Sequence, residues 1–258
     1  MPRYRATVEY AGTAFHGWQR QRNVLSVQEV FEETLARLVL EPVTVFAAGR
    51  TDTGVHALGQ VVHFDLKKAW TPFRLQSALN FYFRPHSVAV LSLEEVAPDF
   101  HARLHAVERC YIYRLMNRRA PLCLDKKRAW HIITPLDVPD MEKAAQYLVG
   151  QHDFTTFRAK DCQSRSPIKT IYEIRFMQEG ALIEMYIRAP SFLHCQVRNI
   201  MGTLVLVGRR VWPARRIKTA LEAKDRAAGG PTAPPHGLFF ARVVYPAKRG
   251  LDHVQRKN

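Results

Sequence analysis

The stretch Tyr4-Arg5-Ala6-Thr7-Val8-Glu9-Tyr10 alternates apolar and polar residues with a period of two, the pattern of a strand with one buried face. After a polar loop, Ser26-Val27-Gln28-Glu29 has the form of a capping box, in which the serine side chain and the Glu three residues on satisfy each other's backbone N–H groups. The helix it opens carries the apolar stripe Val27, Val30, Phe31, Leu35 and Leu38. Working outward, residues 43–48 and 59–66 read as strands around the turn-rich segment 49–54. Thr71-Pro72 starts a second helix, since proline suits a first helical turn, and residues 87–96 form another strand. The order is β-α-β-β-α-β.

The remainder repeats that order without a residue-level repeat. Residues 109–117 read as a strand and 137–150 as a helix with Met141, Ala144, Ala145 and Leu148 on one face. Strands at 168–178 and 181–189 hinge at Glu179-Gly180, and 195–207 is an apolar-striped helix. A short basic helix follows Trp212-Pro213, and 238–245 is a last strand. Two such units predict an α+β fold of two ferredoxin-like halves, residues 1–104 and 105–247. Together they form a continuous, mostly antiparallel sheet with helices packed on it. Segments 118–135 and 209–237 are basic, Pro/Gly-rich insertions, and 248–258 is a basic tail.

The chain has 258 residues, 47% of them hydrophobic, enough to bury a core and to exclude wholesale disorder. The first residues lack a charged-then-apolar leader pattern, and no apolar run approaches membrane-spanning length. Cys110, Cys123, Cys162 and Cys195 form no CxxC pair, which speaks against a disulfide scaffold or zinc ribbon. The expectation is a globular protein of the reducing cytoplasm, with no membrane partner. The formal charge of +15 points to a polyanion, because Lys and Arg that neutralise phosphates release counterions. That charge is uneven: residues 1–104 net +1 and the rest +14, with clusters at 118–119, 126–128, 158–169 and 209–218.

Chemistry concentrates in Gly49-Arg50-Thr51-Asp52-Thr53-Gly54-Val55-His56, between two buried strands. A turn alone needs neither an Arg two before the Asp nor a His four after it. Asp52 on such a support suits a nucleophile, a general base or a metal ligand. Local metal use looks poor: the next carboxylate is Asp65, and His56, His63 and His101 lack HxxxH spacing. No GxGxxG or GxxxxGK[ST] loop offers a phosphate cradle.

Aromatic residues among charges form a second constellation. Phe15-His16-Gly17-Trp18-Gln19-Arg20-Gln21-Arg22 is a polar loop, and Tyr111 and Tyr113 share one strand face. Such rings either stack on unpaired bases or fill the sheet core. Arg198, in Val197-Arg198-Asn199-Ile200-Met201-Gly202, borders an apolar helix stripe. It is a helix-edge arginine with its head in water, or else it is partly buried and pairs with a structural or a catalytic carboxylate.

Taken together, these segments resemble the TruA family of tRNA pseudouridine synthases. The matching stretches are Tyr10–Gln19, GRTDTGVHALGQVVHF at 49–64, Leu79-Asn80, FHARLHAVERCYIY at 100–113, GQHDF at 150–154, VRNIMG at 197–202 and TAPPHGL at 232–238. They run in the family's order along nearly the whole chain. Two departures are visible: Thr53 replaces the family's usual Ala, and His194-Cys195-Gln196 stands where bulkier residues are common. Neither departure is expected to touch Asp52.

The resemblance implies the pseudouridine synthase fold, with Asp52 as catalytic aspartate and Arg198 as its ion-pair partner. It implies isomerisation of uridine at positions 38 to 40 of the tRNA anticodon stem-loop by a homodimer, with no metal or organic cofactor. Tyr111 would stack on the flipped base and help proton loss at C5; Arg50 would fill the vacated space or hold a phosphate. The charge by itself is equally explained by a non-catalytic tRNA-binding protein. A metal-dependent nuclease would use Asp52 and Asp65.

Overall fold

In the computed structural model, which describes residues 1–246, the first half starts with β1 (Arg3–Tyr10) and α1 (Val27–Val39). The Ser26 side chain accepts the Glu29 N–H at 3.3 Å, as the capping box requires. There follow β2 (Phe46–Ala47), β3 (His56–Asp65), α2 (Pro72–Tyr82) with proline in its first turn, and β4 (Val88–Val96).

The second half holds β5 (Glu108–Asn117), β6 (Trp130–Ile132), α3 (Val138–Ala145), β7 (Gly150–Asp153), β8 (Ile168–Ile171), β9 (Glu173–Glu179) and β10 (Leu182–Ala189). It closes with α4 (Gln196–Gly208), α5 (Arg216–Ala223) and β11 (Leu238–Val244).

The main sheet runs β4-β1-β3-β11-β5-β10-β9. In each half the last strand lies beside the first and the third beside the first's other edge, the order expected of a β-α-β-β-α-β unit. Pairing is antiparallel except for β3 with β11 and β5 with β6. The mostly antiparallel α+β reading therefore holds.

The elements differ from the sequence reading at several points. The strand at 43–48 shrinks to Phe46–Ala47, paired Phe46↔His63 and Ala47↔Val62, and Val45 before it donates its N–H to the Glu32 side chain and accepts at its carbonyl from the Gln28 side chain, both of α1. β11 pairs at the other end of the same β3 edge (Phe239↔His56, Phe240↔Ala57). The strand at 168–178 is broken at Tyr172, whose N–H donates to the Arg188 carbonyl while β8 turns away to pair with β7. The helix at 137–150 ends as an α-helix at Ala145 and tightens into a 3-10 turn, Gln146–Leu148. β6 and β7 arise in segments read as an insertion and a helix end. The 248–258 tail lies outside the described residues.

Each half has its own buried cluster, and each lends the other a residue. Phe240 of β11 is fully buried in the core built by Tyr4, Phe31 and Phe64. Val55, from the loop before β3, is buried in the core of Tyr113, Met185 and Ile200. Tyr111 packs against both clusters. Burying a side chain of this size contributes roughly 1.5–3 kcal/mol, so the exchange pins the seam where the site lies.

Candidate active site

Asp52 lies at that seam, on the loop between β2 and β3. Its neighbours are clamped from several directions. The Gln60 side chain donates to the Gly49 carbonyl at 2.7 Å, and the Trp18 N–H to the Thr51 carbonyl at 3.1 Å. Tyr10 and Thr51 share a buried hydroxyl–hydroxyl bond of 2.8 Å. The Val55 N–H closes a turn onto the Asp52 carbonyl at 3.1 Å. Gly54 takes the left-handed backbone at φ +79°, under the Pro235 ring, a conformation with little cost for glycine. Trp18 is buried core beside Tyr10, so of its two readings the packing one holds.

The second half supplies the other wall. α4 begins after Cys195, a non-glycine residue in the left-handed region at φ +59°. Arg198, one turn in, donates from Nη1 to Asp52 Oδ2 at 3.1 Å and from Nε to the Ala233 carbonyl at 2.9 Å. The 231–233 segment that carries this carbonyl crosses the helix against Gly202. A Cβ there would stand 1.8 Å from the Pro231 carbonyl oxygen, so glycine is required for the close approach. Asn199 accepts from Thr232 Oγ1 at 2.6 Å and donates to the Phe157 carbonyl at 2.9 Å. The run Val197–Gly202 thus aims one arginine and locks the strap that holds it.

Two further groups reach the carboxylate. Cys195 Sγ donates to Asp52 Oδ2 at 3.3 Å, and His194 Nε2 lies 3.4 Å from Oδ1. This corrects the expectation that the His194-Cys195 departure leaves Asp52 untouched. Burial first, and then the negative charge of Asp52, push the Cys195 thiol up to about 12, so it is a donor here rather than a thiolate. With a guanidinium, a thiol and an imidazole around two oxygens, Asp52 is a restrained carboxylate with 23% of its side chain still open to solvent.

Residues 6–104 and 144–246 match the family model described as tRNA pseudouridine synthase. A tRNA pseudouridine synthase A of Rhodospirillum rubrum is 52% identical over 248 residues, covering 96% of this chain and 89% of that protein. One from Rhodospirillum centenum is 51% identical over 245 residues, covering 95% and 100%. The chain belongs to the tRNA pseudouridine synthase family. Among solved structures, one of a Cbf5-Nop10-Gar1 complex aligns with a TM-score of only 0.34 at 12% identity, over 92% of this chain and 48% of that one.

Of the four residues that the resemblance to this synthase family singles out, the structure brings Asp52 and Arg198 into contact and sets Tyr111 beside them. Tyr111 is partly buried, edge-on to Phe192 and Phe240 with centroids 5.2 and 4.9 Å away. Burial, with the Asp52 charge second, raises its phenol well above the usual range, so the group stays protonated and offers a ring and an O–H rather than a base. Tyr113, on the same strand face, is core, its hydroxyl donating to the Pro234 carbonyl at 2.7 Å.

Arg50 is exposed and reaches Gln163 at 3.5 Å rather than Asp52. Asp65 is at the far end of β3, ion-paired to Arg3 at 2.7 Å, so it cannot share a site with Asp52. Sequence reasoning missed His194 and Cys195 as neighbours of the carboxylate. No local signal marks them: both lie in the turn before α4, where Cys195 takes the left-handed backbone.

Proposed function

We propose that this member of the synthase family converts uridine to pseudouridine in tRNA, at positions 38 to 40 of the anticodon stem-loop, with Asp52 as the catalytic carboxylate. The observation that carries this reading is the Asp52–Arg198 pair, 3.1 Å apart, presented at a solvent-open seam by segments from both halves. The relatives that the chain matches bear the name of tRNA pseudouridine synthase A.

The chemistry follows from the arrangement. A uridine leaves its stack at a cost of a few kcal/mol and enters the seam with its sugar toward Asp52. The C1′–N1 bond breaks, the uracil turns while held, and C5 bonds to C1′ before losing its hydrogen. The carboxylate works at the sugar, by adding to C1′ or by removing a sugar proton, and Arg198 holds it in place from Nη1. Product and substrate are isomers, so no electron or group carrier enters the balance. Tyr111 supplies a stacking face for the detached base, contributing roughly 1–3 kcal/mol. Arg50, exposed on the loop, takes a phosphate or the space the base leaves. The reading includes a homodimer and a cytoplasmic location, supported by the family resemblance; among the described residues no helix is long and apolar enough to cross a membrane.

Release of tritium from C5 of uridine in tRNA tests the reaction, because forming the C5–C1′ bond expels that hydrogen and leaves the strand intact. A non-catalytic tRNA-binding protein releases none. Tyr111→Phe is expected to keep turnover within about threefold, since the ring remains, while Tyr111→Ala loses about tenfold or more in kcat with a smaller change in KM. A defect of Tyr111→Ala confined to tRNA affinity would contradict stacking at the reaction centre.

Two of the basic clusters border the Asp52 loop. The Lys127 carbonyl is bonded to His56 Nε2 at 2.9 Å, and the Ala159 N–H donates to the His194 carbonyl at 3.0 Å. Lys160 and Arg165 are exposed on the second of these segments. Reversing both to Glu is expected to weaken tRNA binding and to flatten the slope of log Kd against log salt by about 1 to 2. An unchanged slope would place this segment off the RNA path.

A further inference from the structure

We propose that Asp52, His194 and Cys195 also form a binding site for a thiophilic divalent cation of the zinc type, and that an ion bound there blocks the carboxylate. The blocking half rests on the function proposed for Asp52; the binding half does not.

The three ligand atoms come from two distant segments and lie within 4.8 Å of one another. An ion held 2.0–2.3 Å from tetrahedral ligands sets them about 3.3–3.6 Å apart. One edge already has that size, Asp52 Oδ2 to Cys195 Sγ at 3.3 Å; His194 Nε2 stands 3.4 Å from the other carboxylate oxygen, Oδ1, so closing the site takes movement of the imidazole. His194 is 45% exposed and has room to turn its ring inward. A carboxylate, an imidazole and a cysteine sulfur, whose proton passes to solvent as the S–metal bond forms, suit zinc and exclude magnesium or calcium as preferred occupants, which take oxygen. Three protein ligands with a solvent-facing fourth position make an open site rather than a structural one.

Arg198 is the built-in competitor. Its Nη1 stands 3.1 Å from Oδ2 and 3.6 Å from Sγ, against the same two atoms the cation needs. Its second bond, from Nε to the Ala233 carbonyl, is independent of Asp52 and keeps the side chain anchored when the tip withdraws. Asp52 therefore has two mutually exclusive partners: the guanidinium, which leaves the carboxylate open to a sugar, and the metal, which covers it. Exclusion of one cation by the other makes the metal an inhibitor, not a cofactor.

Titration of the metal-free full chain with Co2+ tests the binding directly. Expected are one equivalent of tetrahedral d–d bands with a thiolate-to-cobalt charge-transfer band, all displaced by Zn2+. Cys195→Ala should abolish the charge-transfer band, and His194→Ala, at an exposed position where folding is not at stake, should weaken Zn2+ binding at least about 100-fold. Zinc should also stop tritium release, and in His194→Ala the ratio of activity with zinc to activity without it should move to at least about 100-fold higher zinc. Absence of the bands in the wild-type chain, or their loss with Cys123→Ser instead, would overturn the site. Bands together with undiminished tritium release at saturating zinc would overturn the blocking. Bands in a chain that releases no tritium without metal would leave the site standing and defeat the isomerase reading.

Discussion

Asp52→Asn is expected to abolish tritium release from C5-labelled tRNA, by at least about 10⁴-fold, without weakening tRNA binding. Asparagine keeps the shape of the side chain and two polar atoms for Arg198 and Cys195 to face, so the loop clamped by Gln60, Trp18 and Tyr10 has no reason to move. What disappears is the negative charge, and with it both the nucleophile and the base. Losses of this size are typical when the group that attacks or abstracts is removed. The sign of the binding effect is also determined. Removing one carboxylate from a chain of net charge +15 makes the surface more positive, so affinity for a polyanion stays level or rises. Filter binding and tritium release measured on one preparation separate the two. Release within tenfold of wild type would mean that Asp52 is not the catalytic group.

The second large effect falls on Arg198. Replacement by Met leaves Asp52 without its guanidinium and the Ala233 carbonyl without its donor. Breaking a partly buried charged pair costs about 3 kcal/mol, roughly 150-fold if it falls on the transition state. Arg198→Lys should recover little of this. One flexible ammonium cannot reproduce a planar fork that bonds Asp52 from Nη1 and Ala233 from Nε. The loss is expected in kcat, with KM changed less than about threefold, because the residue faces the carboxylate. A lowered melting temperature with kcat per folded molecule unchanged would assign Arg198 to scaffolding alone.

Much of this molecule is legible in its sequence. Period-two alternation in residues 4–10, the Ser26 cap and the proline at the start of α2 are local signals. Each element they predict is present. Errors fell where pairing is decided at a distance. Nothing near residues 43–48 reveals that β2 keeps only two residues, or that β11, nearly 200 residues later, takes the His56 end of the same β3 edge. Likewise, Tyr111 and Tyr113 have equal standing on one strand. Only the fold buries Tyr113 in the second-half core and leaves Tyr111 between the two cores, where it feels the charge of Asp52.

By itself, the sequence determined the order of the main strands and helices, the asymmetry of charge, the Asp52 loop and, through its motifs, the family. Those properties follow from neighbouring residues, or from composition, and survive without a fold. The tertiary structure decided which groups surround the carboxylate. Arg198, Cys195 and His194 lie more than 140 positions from Asp52 and reach it because α4 and the β2–β3 loop border one seam. It moved Arg50 out to Gln163, and it turned the His194-Cys195 departure from a packing detail into contacts with Asp52. Contact between distant segments depends on the shared sheet edge and the exchanged core residues, and neither is written in any local stretch of chain.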